Sequence, residues 1–596
     1  MSSIDNLPSF HLRALLDTYH TRVENALVDL RNEQIISRLW NRDHTIWKPE
    51  PTEIHNRLGW LQCVESMRGE LARIRQFVHD VHGEGYTHAL LLGMGGSSLA
   101  PVVFAHLFST LEHPLKLVVL DSTDPHTVNT YTQALDPART LFLVSSKSGT
   151  TVETLSLFKH FYNHVAAVVD AREVGRHFIA ITDPESPLST LAAQHRFREV
   201  FHADPNMGGH YAALSHFGLV PAALLGIDIS RLLDHAEAMM QDCGSDAAIE
   251  FNPAAQLGTI LAELALWGRD KVTMIASASL APLGSWVEQL LAESTGKEGQ
   301  GLIPILHEPL GLPGVYRDER LFVHLAMHQD DEEQAERILD EIARAGHPVV
   351  HILLNDLYGI AGQFFLWEMA TALAAYRLEI NPFDQPNVEA AKQRTREAVT
   401  TYYDTGALPD ESPAATYDDM RLYGQQVSAD SPETALNAFL AQGRPGDYVV
   451  LQAYLPLPIA WADTRQELQT PELSLAMRET TEIQAVLLSI CGRIRDKYGL
   501  AATFGYGPRY LHSTGQLHKG DAGNGLFIQF TADASDDVPI PNAAGEMAPA
   551  MSFATLETSQ AMGDRQALEA AGRRIIRFHL GTRIAERLRQ LNQSLL

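Results

Sequence analysis

Cysteine is almost absent. Cys63, Cys243 and Cys491 stand far apart in a chain of 596 residues. Such an odd, scattered set offers neither a disulfide framework nor a zinc-binding spacing, and it fits a reducing cytosol. Basic charge is also short. Lys and Arg total 46 against 73 Asp and Glu, for a formal net charge of −27. That balance repels nucleic acid and anionic membranes, so partners of either kind are not expected. An anionic ligand would need a local site built against the background field. No run of about 18 apolar residues occurs, so no membrane-spanning helix is expected. The opening MSSIDNLPSFHLRALLDTYH has no basic stretch followed by an apolar one, so no signal peptide is expected. The P-loop consensus is missing, and the dinucleotide fingerprint fails in Gly93-Met94-Gly95-Gly96-Ser97-Ser98, where Ser98 takes the place of the last glycine. What remains is ordinary globular material, 45% hydrophobic and 20% charged, which excludes a disordered or collagen-like chain. At about 150 residues per domain, the length suggests three to four domains.

The stretch to about residue 80 reads as helical, with Leu12, Leu15, Leu16 and Tyr19, and later Leu58, Leu61 and Val64, at helical spacing. From His88 the texture changes. HALLLGMGG, LKLVVLDSTDP, LFLVSSKSGTT, HFIAITDPESP and REVFHADP are short apolar runs that end in polar or glycine-rich turns. Helical-length segments separate them, which predicts a parallel sheet covered on both faces, with ligands at the carboxyl ends of its strands. KVTMIAS, GLIPIL, LFVHLAM and PVVHILL repeat the pattern further on. The acidic segment 405–419 reads as a linker or surface excursion. Beyond it, DYVVLQAYL reads as a strand, and TEIQAVLLSICGRIRDKYG and RRIIRFHLGTRIAERLRQL as amphipathic helices.

Chemistry concentrates at the strand ends. Gly95 and Gly96 permit close backbone approach, and Ser97 supplies a hydroxyl. Ser145-Ser146-Lys147-Ser148-Gly149-Thr150-Thr151 gathers hydroxyls where a strand feeds a helix. The exposed N–H groups and the dipole of that helix start suit an oxyanion such as phosphate; the same residues could instead simply cap the helix. Gly208-Gly209-His210-Tyr211 and Glu293-Ser294-Thr295-Gly296-Lys297 could each be a turn with a solvated charge. Glu308, in His307-Glu308-Pro309, follows the strand GLIPIL, where a carboxylate could serve as a general base or merely lie exposed. Residues 381–392, NPFDQPNVEAAK, combine an amide, carboxylates and a lysine at a helix start.

Together and in this order, GMGGSSLAP, SSKSGTTVET, GGHYAALS, AESTGK and FDQPNVEAAK resemble the motifs of the glucose-6-phosphate isomerase family over about residues 50–400. The similarity is greatest to the isomerase half of transaldolase–isomerase fusions, through NPFDQPNVEA and the late GYGPRYLHSTGQLHKG. The resemblance implies an α/β fold with two doubly wound parallel-sheet sugar-isomerase (SIS) domains. The organisation expected is a helical lead-in (1–80), a first SIS domain (81–245), a second (246–400), a linker (401–432) and a C-terminal α/β extension (433–596).

The resemblance also implies roles. Gly96, Ser97, Ser146, Lys147, Ser148 and Thr151 would cradle a sugar phosphate, Glu308 would move a proton between C1 and C2, Gln385 would lie at the sugar, and Lys392 would act catalytically, assisting ring opening or holding a ring oxygen. His210 occupies the family's arginine position, where an always-charged, forked donor is replaced by a titratable ring. The family's ring-opening histidine finds Asp356 or Leu357 in its place, leaving His512 and His518 as candidate substitutes. The expected activity is interconversion of glucose 6-phosphate and fructose 6-phosphate through a cis-enediolate, in glycolysis and gluconeogenesis. It would proceed without metal or cofactor, in a cytoplasmic homodimer. The alternatives are an isomerase of another anionic sugar (mannose 6-phosphate or a pentose phosphate) and a non-catalytic sugar-phosphate binder.

Overall fold

The computed structural model describes residues 10–109, 115–424, 429–458 and 471–596. Three main sheets organise them. In the first, the strands Lys116–Leu120, His88–Gly93, Thr140–Ser145, Phe178–Thr182 and Glu199–His202 lie side by side in that order, all parallel. In the second the order is Ile303–Ile305, Lys271–Ala276, Arg320–Met327, Val349–Leu354, with Phe10–Leu15 added antiparallel at the edge. The third runs Ala501–Tyr506, Tyr448–Tyr454, Gly525–Thr531, Arg574–His579, then Met420–Tyr423 and Ala415–Tyr417 antiparallel. Each sheet therefore reads second–first–third–fourth along its parallel strands. The strand order reverses between the first and third strands of each sheet, although they run parallel, and ligands bind in the crevice outside such a reversal.

The interior strands are apolar throughout because helices cover both faces. Every residue of Thr140–Ser145 and Phe178–Thr182 is buried. Helix starts carry their own signals. Asp124, Ser186 and Asn252 each cap a helix whose first residue is proline, accepting a hydrogen bond from a first-turn N–H. The helix Gly359–Arg377 is buried from Gly359 to Ala375, as expected of a helix that is apolar all round. It belongs to one continuous core with residues of the first two sheets.

Three segments differ from the sequence reading. Phe10–Leu15 is a strand, not part of a helix; its burial alternates, with Phe10 and Leu12 turned in and His11 and Arg13 out. The stretch read as a linker contributes the hairpin Ala415–Tyr417 and Met420–Tyr423 to the third sheet. RRIIRFH is the strand Arg574–His579, and only Ile584–Gln593 after it is helical.

A cavity of about 400 Å³ remains where elements of all three sheets meet. Glu288 projects into it from the helix Ala281–Thr295. Among the described residues it has no ion-pair partner, and burial pushes its carboxyl up to about 8. A carboxyl raised in this way contributes stability that is complete below pH 4.5 and is lost as pH rises through 8, by at most about 5 kcal/mol. Glu288→Gln should therefore raise Tm at pH 8.5 and leave it little changed at pH 4.5. Scanning calorimetry at the two pH values tests this; parallel Tm–pH curves for variant and wild type would refute it.

Candidate active site

The reversal point of the first sheet lies between the strands His88–Gly93 and Thr140–Ser145, and both glycine- and hydroxyl-rich loops leave from there. The glycines of the first loop are required by contact. A Cβ on Gly95, whose φ is +54°, would lie 2.4 Å from the His512 carbonyl oxygen, and one on Gly96 would lie 2.1 Å from that of Gly209. Only glycine lets this loop, the 208–211 turn and the segment around His512 meet.

In the second loop, Ser146 Oγ and Thr151 Oγ1 lie 2.8 Å apart, and Ser148 Oγ lies 2.9 Å from Thr150 Oγ1. Thr151 precedes the helix Val152–Ala166, yet its side chain does not cap it. The helix start is thus left to a ligand rather than to its own threonine, which favours the oxyanion reading over the capping one. Lys147 Nζ donates to Asp183 Oδ2 at 2.5 Å. Burial lowers the lysine's pKa and raises the aspartate's, each shift opposed by the ion pair.

These loops open on a cavity of about 380 Å³ lined by Gly96, Ser97, Lys147, Ser148, Thr151, His210, Gln385, Lys392 and His512 among others. Ser146 does not line it but is buried beside it, bonded to Thr151. A second cavity, of about 610 Å³, adjoins it and shares Lys392 and His512.

Glu308 and His518 do not reach the cavity. Glu308 accepts from Arg320 Nη1 and Nη2 at 3.1 and 3.0 Å and from the Ala502 N–H at 3.0 Å. Its carboxylate is consumed in joining the second sheet to the third. His518 is enclosed near Tyr510 and Phe527. Burial, then Lys519 and Arg573, push its pKa well down, which disfavours the imidazolium form.

Three carboxylates among the described residues line the cavity, Glu53, Asp183 and Glu293; Glu293, in the AESTGK segment on the helix Ala281–Thr295, is 4% exposed. Gln289 Nε2 lies 3.3 Å from its Oε1, and Gln385 donates to its Oε2. His210 Nδ1 stands 3.0 Å from the same Oε2. Lys297, four residues on, donates to Asn381 O and to Asp384 Oδ1, each at 2.9 Å. It thereby ties down the loop that brings Gln385 to Glu293.

On the opposite wall, His512 Nε2 lies 2.9 Å from Glu153 Oε1, which also accepts from Gln560 at 2.6 Å. Burial opposes the charge on Glu153, but His512 outweighs it and holds the carboxyl below its ordinary range. Glu153 was legible only as the glutamate of SSKSGTTVET. Gln289 carried no sequence signal, because its use depends on the His512 carbonyl 2.8 Å away and 223 residues along the chain.

Solved structures share this architecture. A hypothetical protein from Thermus thermophilus superposes with a TM-score of 0.56 at 24% identity, over 65% of this chain and 99% of that one. The glucose-6-phosphate isomerase of Chlamydia trachomatis gives 0.56 at 16% identity, over 66% and 89%. The fold is that of the sugar-isomerase class of doubly wound α/β proteins.

The phosphoglucose isomerase family model matches residues 61–301. Glucose-6-phosphate isomerase of Rubrobacter xylanophilus is 27% identical over 436 residues, which are 65% of this chain and 96% of that protein. That of Carboxydothermus hydrogenoformans is 27% identical over 439 residues, 64% and 89%. Over residues 61–301 the chain thus matches the phosphoglucose isomerase family, and over about two thirds of its length it is similar to glucose-6-phosphate isomerases.

Proposed function

We propose that this protein interconverts glucose 6-phosphate and fructose 6-phosphate by proton transfer between C1 and C2, with Glu293 as the base. The observation that carries the proposal is a buried carboxylate facing the same cavity as the uncapped, hydroxyl-rich loop. Ser97, Lys147, Ser148 and Thr151 take the phosphate, with Ser146 beneath them bonded to Thr151. Neutral hydroxyl and N–H donors let an acidic protein hold an anion there, and phosphate binding positions the reacting carbons. Glu293 removes the C2 proton of the open-chain aldose. The C–H electron pair becomes the C1–C2 double bond of the cis-enediolate as the carbonyl oxygen takes the charge. A proton then passes from the C2 hydroxyl to O1, and return of the abstracted proton from Glu293 to C1 leaves the carbonyl at C2, which is the ketose. His512, anchored through Nε2 on Glu153, exchanges a proton with the ring oxygen as the sugar opens. Lys392 and Gln385 hold the sugar.

The test is a coupled assay of fructose 6-phosphate conversion, with mannose 6-phosphate and pentose phosphates beside it. Folded protein that turns over none of them, yet is raised in Tm by fructose 6-phosphate, would make it a binder only. His512→Asn is expected to lower kcat/KM by about 100-fold, the usual contribution of a positioned acid–base group; an unchanged value would remove the histidine from the mechanism.

The homodimer and the cytosolic location belong to the same proposal. The buried, unpaired Cys63, Cys243 and Cys491 support the location. No helix of the described residues is long and apolar enough to cross a membrane. Sedimentation velocity would report the assembly.

A further inference from the structure

The imidazole of His210 is 1% exposed, and each of its ring nitrogens faces an oxygen. Nε2 lies 3.1 Å from the Pro382 carbonyl, which can only accept. Nδ1 lies 3.0 Å from Glu293 Oε2, which, ionised, can also only accept. A neutral imidazole has one N–H and cannot satisfy both. With Nε2–H given to Pro382, a bare Nδ1 would set its lone pair against a carboxylate oxygen. The nearby Gln385 amide, 3.2 Å from Nδ1 and bonded to Oε2, caps both atoms but adds no proton between them. That amide can donate to both, yet it leaves their lone pairs 3.0 Å apart; one more proton on the pair, as imidazolium–carboxylate or imidazole–carboxylic acid, turns the contact into a direct hydrogen bond.

We propose that His210 and Glu293 work as a single proton-sharing pair, with His210 as the positioning residue that sets the charge and direction of the base. This rests on the reading of Glu293 as that base. In the imidazolium–carboxylate form, Nδ1–H holds Oε2 and leaves Oε1 to take the C2 proton. The C–H electrons pass into the C1–C2 double bond, a proton moves from the C2 hydroxyl to O1, and Oε1 then returns the abstracted proton to C1. The proton on Nδ1 stays in place throughout, so atoms and charge balance within the pair and the sugar. His210 supplies, beside the base, a positive charge that is lost when the pair's last proton leaves. It does not act as a donor to the sugar, since both nitrogens are already committed.

Other charged groups around the pair are Lys297 with its partner Asp384, the Glu53 and Arg57 side chains, Lys147 with Asp183, and Lys392. Tyr211, next in sequence, is buried, and burial raises its pKa far above the working range. Lys147 and Lys297 have pKa values lowered by burial, so either could also produce an alkaline fall in activity. The experiment must tell them apart.

The test is the pH profile of kcat/KM for fructose 6-phosphate in wild type, His210→Arg and His210→Asn. Wild type should lose activity about tenfold per pH unit above the pair's last ionisation. His210→Arg carries a charge that does not titrate, so it should retain activity and lose that alkaline limb. His210→Asn should be slower at every pH, also without the limb. A limb that persists in either folded variant belongs to another group, a lysine or His512, and overturns the pair. So does a wild-type profile with no alkaline limb. Glu293→Gln separates the two readings. If it stays active, the base assignment itself fails; if it is inactive while the limb survives in His210→Arg, only the pairing fails.

Discussion

Glu293→Gln should leave a folded protein whose kcat for fructose 6-phosphate is lower by about 10³-fold or more. The amide is isosteric with the carboxylate and keeps one oxygen to accept from Gln385 or Gln289, while its NH2 faces the other, whose own amide must turn to accept. It cannot accept a proton from carbon. Positioned proton transfer is commonly worth about 10²–10⁴ in rate, and no other carboxylate of the described residues shares its position between His210, Gln385 and the sugar-facing cavity. Glu53 and Asp183 also border that space, but Asp183 is committed to Lys147. The measurement is the coupled assay beside a melting curve. A Tm within a few degrees of wild type, with activity lost, supports the assignment; activity within tenfold of wild type would exclude Glu293 as the base.

Much of this site was written in local sequence, because its parts are strand-to-helix turns. A run of apolar residues ending in GMGGSS or SSKSGTT announces both the strand and the loop beyond it. Of the residues expected to bind or act here, all but Ser146, Glu308 and His518 line the one cavity. Ser146 lies just beneath. What local sequence does not carry is which carboxylate is free. Glu293 and Glu308 both sit in motifs of the family, 15 residues apart. Glu308 follows a strand, the position where a base is usually sought. Its fate is decided by Arg320 and by the Ala502 N–H, 194 residues away. The same limit explains the missed strands. Phe10, Leu12 and Ala14 alternate as a strand should, but Leu12, Leu15, Leu16 and Tyr19 also fit a helix. The choice was made by pairing with Val349–Leu354, far along the chain. Arg574–His579, with Ile575, Ile576 and Phe578 apolar, suits either period, and the neighbouring strand Gly525–Thr531 decides it.

Glu308→Ala should have the opposite signature: a large loss of stability with the chemistry intact. Its carboxylate is the shared acceptor for Arg320, which is 1% exposed, and for a backbone N–H of the third sheet, with Arg495 Nη1 3.7 Å away. Deleting it leaves a guanidinium buried without its counter-charge and an amide without an acceptor. Breaking a buried pair by removing one partner costs about 3–5 kcal/mol, more than the pair itself contributes over an apolar replacement. Because the bond spans two sheets, the third sheet's grip on the second should weaken first, so unfolding would separate into two calorimetric transitions. The fold of the cavity depends on that grip through Leu511 and His512, so the comparison belongs well below the first transition. There, kcat should remain within about threefold of wild type, since general acid–base loss would cost about 10² or more. A Glu308→Ala protein with unchanged Tm and kcat down about 10³-fold would return the base to Glu308. A destabilised but active one, set against a stable but inactive Glu293→Gln, assigns one carboxylate to the frame and the other to the reaction.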